Sequence, residues 1–237
     1  MIDLLFAPPP HDLEPSVERQ RLYGVYTAQV TDVRDPDGQG RVKVKLPWSP
    51  DLNGGGYEVW ARLAVLMAGD KRGTWFIPDP NDEVLIAFEG GDPRQPRVIG
   101  ALWNGRDAPP ATMDGAGRNT LKSICSRNGV HVDFDDTDGQ EKLTLETPGG
   151  QRITLQDGPG KVEIRDANGN SVTLESAGIT LKSSGKVTIN ASTIEMTASM
   201  VTVNAATSKF SGLVNSDAVT TNSVISASYS PGAGNIW

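Results

Sequence analysis

Residues 142–182 read KLTLETPGGQRITLQDGPGKVEIRDANGNSVTLESAGITLK, and this stretch decides the fold class. Through it recur two apolar residues separated by one polar residue: Leu143/Leu145, Ile153/Leu155, Val162/Ile164, Val172/Leu174 and Ile179/Leu181. A period of two puts both members of a pair on one face of a strand and leaves Thr, Lys, Glu and Ser on the other. Between pairs stand Gly149-Gly150, Gly158-Pro159-Gly160 and Asn168-Gly169-Asn170, which let the chain reverse or corner. The rhythm extends to Val130/Val132 upstream and to Val187/Ile189, Ile194/Met196 and Val201/Val203 downstream. Downstream the corners shrink to Ser184-Gly185, Ala191-Ser192 and Ala198-Ser199, and the repeat step shortens. Two inward apolar residues cannot be buried by one strand, so the pattern predicts a stacked β-solenoid over residues 121–210, with these nine pairs as its core.

Upstream, residues 22–106 read as a different β unit. Tyr26 to Val33, Arg41 to Leu46, Glu58 to Val65, Thr74 to Pro78, Glu83 to Phe88 and Pro96 to Leu102 are short runs divided by Gly, Pro and Asp clusters. Such runs without a helical period predict a small closed barrel. Trp60 and Trp75 are expected to fill it. Residues 1–21, with Pro8-Pro9-Pro10, read as an N-terminal arm, and 107–120 as a linker. In residues 211–237 the rhythm fades, and the apolar end Ile236-Trp237 suggests a tip segment folded onto the rod, with Tyr229 and Pro231. The fold class is therefore all-β throughout.

Bulk composition narrows the function. Of 237 residues only 37% are hydrophobic and 6% aromatic, so part of the apolar burial is expected between chains. A net charge of −7 opposes binding to phosphate backbones, and no nucleic-acid partner is expected. One cysteine, Cys125, excludes an intrachain disulfide and fits assembly in the cytoplasm. No apolar run is long enough to span a bilayer, and the first residues lack the pattern of a signal peptide.

As a set, several motifs resemble one known family. They are Gly24 to Val30, Asp35-Pro36-Asp37-Gly38-Gln39-Gly40-Arg41-Val42-Lys43-Val44, Trp60-Ala61-Arg62, Phe76-Ile77-Pro78 and Gly90-Gly91-Asp92-Pro93-Arg94-Gln95-Pro96. They look like the OB domain of phage baseplate assembly protein V, shared by the VgrG proteins of type VI secretion and the tail spike-lysozyme of T-even phages. Phe134 to Leu143 resembles the opening of the needle that follows it there. The resemblance implies an OB-fold barrel followed by an intertwined trimeric β-helix, in a homotrimer. It implies the central spike of a contractile machine, assembled in the cytoplasm and then part of a virion or tail-like particle. The barrel would dock to a separate hub and the needle would puncture an envelope in transient contact with its membrane. Lacking a terminal His-x-His, the tip is expected to carry a separate PAAR-type cap held near Tyr229, Pro231, Ile236 and Trp237.

Enzymatic readings were weighed against this structural one. Asp133, Asp135, Asp136 and Asp138 fail the EF-hand spacing, which needs Gly at the sixth position and Glu at the twelfth, and read as a solvated turn. His11, His131 and Cys125 are too few for a zinc site within one chain. Alternation sends His131 to the face opposite Val130 and Val132. Gly54-Gly55-Gly56 precedes no helix and cradles no phosphate. No nucleophile elbow, P-loop or zinc-protease motif occurs. The chain is expected to be no enzyme, with no catalytic residue, metal or cofactor. The alternative is a tail-associated polysaccharide lyase or depolymerase with a β-helical body, which would need a groove of exposed aromatics.

Overall fold

The computed structural model describes residues 21–49 and 56–228. Most of the N-terminal arm, the Gly54-Gly55 part of the glycine loop and the tip residues Tyr229, Pro231, Ile236 and Trp237 lie outside the described residues.

Five strands close a barrel: β1 (Val25–Asp32), β2 (Val42–Leu46), β3 (Tyr57–Leu63), β6 (Glu83–Phe88) and β7 (Pro96–Leu102). The ring order is β1-β2-β3-β7-β6, with β3 and β7 parallel and every other pair antiparallel. A two-stranded hairpin, β4 (Ala68–Gly69) and β5 (Arg72–Gly73), projects between β3 and β6. The sequence alternation explains the core: β2 and β6 each send every second residue inward. Val30, Val42, Val44, Leu46, Ala61, Val84, Ile86 and Val98 meet there as one buried cluster.

The two tryptophans expected to fill the barrel do not. On β3 the inward residue is Ala61, so its neighbour Trp60 points outward, under the Arg41 guanidinium and the Lys43 ammonium, each 5.8 Å from its ring centroid. Trp75 is 75% exposed on the segment after β5. Aliphatic side chains and Phe88 fill the small interior, which the two large indoles would overpack.

Seven further strands form one antiparallel meander: β8 (Leu121–Cys125), β9 (His131–Asp135), β10 (Lys142–Glu146), β11 (Arg152–Gln156), β12 (Lys161–Arg165), β13 (Ser171–Glu175) and β14 (Gly178–Lys182). Within one chain the glycine turns of this segment reverse the strand direction, so neighbouring strands form hairpins and not the coils of a solenoid. Among the described residues no strand follows Lys182. Val187, Ile189, Ile194, Met196, Val201 and Val203 lie in irregular backbone. The chain divides into two compact units at this point, 1–185 and 186–237.

Candidate functional site

The register of the meander aligns its apolar residues into two columns, one crossing β9 to β14 and the other all seven strands. One runs Phe134, Leu143, Leu155, Val162, Leu174, Ile179; the other runs Ile124, Val132, Leu145, Ile153, Ile164, Val172, Leu181. Each residue has an apolar cross-strand neighbour, the unit that stabilises a sheet face. Yet much of this face is exposed among the described residues. Phe134 is 45% exposed, and Leu145, Ile153, Leu155, Ile164, Leu174, Ile179 and Leu181 are exposed as well. Full burial of one such side chain is worth about 1.5–3 kcal/mol, much of which is forgone at each position.

On the opposite face the middle column runs Ser123, Asp133, Thr144, Thr154, Glu163, Thr173, Thr180. Thr144 is only 8% exposed, better covered than the leucines behind it. Charged neighbours shelter it: Arg152 pairs with Glu146, Lys142 lies 3.5 Å from Asp135, and Lys161 lies 3.2 Å from Glu163. These pairs are half-buried and Arg152 Nε is itself buried, so within one chain the polar face is better covered than the apolar one.

The expected site residues fall into place unevenly. Leu143, Leu145, Ile153, Leu155, Val162, Ile164, Val172, Leu174, Ile179 and Leu181 all share the uncovered face. Val130 does not sit in a strand; the partner of Val132 on β9 is Phe134, which the x-Φ-x-Φ spacing also allowed. Ile124 on β8 was missed because Leu121, the other apolar residue of that strand, lies on the opposite face. His131 lies on the polar face, Nε2 3.4 Å from Asp133 and 3.8 Å from Glu146. The aspartate cluster is spent locally: Asp133 accepts from Ser123 Oγ, Asp135 from Thr137 Oγ1 and N–H, and Asp136 lies 3.4 Å from Lys122. Thr137 and Lys142 hold the Asp135 carboxyl below its ordinary range. Among the described residues no group of three or more His, Cys, Asp or Glu could hold a metal ion.

A polar lock ends the sheet. The Asn170 carboxamide oxygen accepts from Ser184 N–H and from Ser183 Oγ, both at 3.0 Å, while its Nδ2 donates to Asp166 at 2.7 Å. Asn170 is the first cause holding the Asp166 carboxyl below the usual range. The chain leaving β14 is thereby tied to the β12–β13 turn. In the second unit, among the described residues, no backbone amide hydrogen-bonds to another backbone group. A few of its backbone groups are instead met locally by the Thr221 and Ser226 hydroxyls.

Two family models match this chain. Residues 26–103 match the type VI secretion system/phage-baseplate injector OB domain, and residues 142–209 match the phage baseplate V C-terminal trimerisation domain. The chain belongs to the phage baseplate V and VgrG-like spike family. The trimerisation model spans both the two-column face and the start of the unpaired unit. Among curated relatives, the type VI secretion system spike protein VgrG4b of Pseudomonas aeruginosa is 31% identical over 60% of this chain and 18% of its own length. VgrG1b of the same organism is 29% identical over 51% of this chain and 17% of its own. The actin cross-linking toxin VgrG1 of Vibrio cholerae is 31% identical over 46% of this chain and 10% of its own. The chain thus spans less than a fifth of the length of these relatives. The match lends no support to a polysaccharide lyase.

Proposed function

We propose that this chain is the central spike of a contractile tail or injection system, acting as a homotrimer and not as an enzyme. The observation that carries the reading is the exposed two-column face, together with a second unit whose described residues make no backbone–backbone hydrogen bonds. Three copies could bring their apolar columns together around one axis and leave the Thr, Lys and Glu faces in water. In the second unit, alternating pairs such as Val187/Ile189 and Ile194/Met196 could find ladder partners only in other chains, as an intertwined β-helix requires. A rod hydrogen-bonded between chains resists bending without moving parts, which suits an element driven through an envelope.

In this reading residues 22–106 are the OB domain that docks to a hub, 121–210 the needle, and 211–237 the tip, where a PAAR-type protein would bind. The particle would assemble in the cytoplasm and meet the target membrane only transiently. None of the activity named for the toxin relative is carried over, since the match covers a tenth of it.

The first experiment is the absolute mass of the purified protein by native mass spectrometry, repeated after warm SDS. A species of three times 25.3 kDa that survives the detergent is expected. A single-chain mass under both conditions would sink the spike reading.

A further inference from the structure

The barrel unit carries a second apolar surface, on the segment between β3 and β6. After β3 the chain runs Val65-Leu66-Met67 and returns through the β4–β5 hairpin to Trp75-Phe76, all exposed; Leu66 is 97% exposed. The patch is built rather than loose. Thr74 N–H donates to Met67 O at 3.0 Å, closing the hairpin base. Gly73 has φ +149, and a Cβ there would stand 2.5 Å from the Met67 carbonyl oxygen. The Trp75 ring lies on Gly40, where a Cβ would meet it at 3.0 Å. A large aromatic held in place before contact is the usual anchor of a protein interface. Five adjoining exposed apolar side chains are more than a monomer normally presents.

Its position says what covers it. Three residues past Phe76, Asp79 pairs with Arg127 at 3.0 Å, tying this segment to the β8–β9 turn. The patch therefore continues toward the sheet that trimerises. β8 is the free edge of that sheet, every residue of it exposed, with Ile124 on its apolar face. In a closed three-fold assembly equivalent atoms lie at one level along the axis, so each hairpin is level with the β8 edges of both neighbours. Among the described residues both surfaces are exposed. We propose that the Leu66–Phe76 hairpin of each copy clasps the β8 edge of the next copy, closing a head-to-tail ring around the base of the rod. The proposal rests on the homotrimer reading and adds a contact outside the trimerisation domain.

The test uses the full chain with Leu66→Cys, because Cys125 already ends β8 as a free exposed thiol. Mild oxidation should give covalent dimers and trimers on a non-reducing gel. Neither the unmodified chain nor the Leu66→Cys/Cys125→Ser double variant should give them. Single-chain bands from a protein of trimeric native mass would overturn the clasp alone, and so would links that persist without Cys125. A single-chain native mass would overturn the clasp together with the trimer. Leu66→Asp, at a site too exposed to affect folding of the chain, should raise the concentration of half-dissociation about tenfold. An unchanged value would also overturn the clasp.

Discussion

Arg41 donates twice to one carboxylate oxygen of Asp35, from Nε at 3.0 Å and from Nη2 at 2.6 Å. The same carboxylate accepts the backbone N–H groups of Asp37, Gln39 and Arg41, and its side chain is only 5% exposed. One residue thus fixes the whole β1–β2 turn. Asp35→Asn keeps the shape but loses the charge, leaving Arg41 with only the exposed Asp37. Barrel melting, followed by tryptophan fluorescence, should fall by several degrees. Asp32→Asn, which frees only the exposed Arg34, should lower it less.

Acid should expose the same arrangement. The Arg34 side chain beside Asp32 and the Arg41 side chain beside Asp35 hold both carboxyls far below their ordinary range. A folded value below the unfolded one gives stability that is full above the unfolded carboxyl pKa of about 3.9 and lost as pH falls toward the folded value. Denaturant midpoints for the barrel should be level between pH 7 and pH 5 and drop by pH 3. A midpoint that rises at pH 3 would contradict this.

The two apolar regions should respond oppositely to truncation. Ile86 is 0% exposed at the barrel centre, and Ile86→Ala should cost about 2–5 kcal/mol in the barrel unfolding transition. Ile179→Ala, on the uncovered face, should leave that transition unmoved and weaken only association.

Leu155 pairs with Leu143 on one side and Val162 on the other, in the middle of the two-column face. Leu155→Asp places a charge where other copies would pack. Far-ultraviolet circular dichroism should still report β structure, while native mass falls from trimer to single chain. A variant that remains trimeric would place the contact elsewhere.

Hydrogen exchange separates the two units. Amides of β10–β13 are bonded within the chain and should be protected at any concentration. Amides 187–203 should be protected only where trimer forms. Protection there in a single chain would mean an intrachain ladder.

Much of this was legible from residue pattern alone. Five of the x-Φ-x-Φ pairs, from Leu143/Leu145 to Ile179/Leu181, fall on the two-column face, because a period of two survives whichever partner a strand finds, whereas Ile124 and Phe134 escaped the pattern. The alternation could not tell a hairpin from a coil: Gly150 and Gly169 serve either course, and the choice depends on long-range pairing. Trp60 and Trp75 were misplaced for a related reason. Hydrophobicity says that an indole seeks cover, whereas the parity of β3, set by Ala61, sends Trp60 to the outside. The Asn170 lock left no trace in the pattern, since it joins the β12–β13 turn to the chain leaving β14, more than ten residues on.

The missing backbone partners of the second unit bear on how the protein can be handled. A segment with no ladder of its own has no melting point of its own; its order would be gained in a reaction of three molecules. Apparent stability would then rise with protein concentration, and dilution would act on this half of the chain as a denaturant does on the barrel.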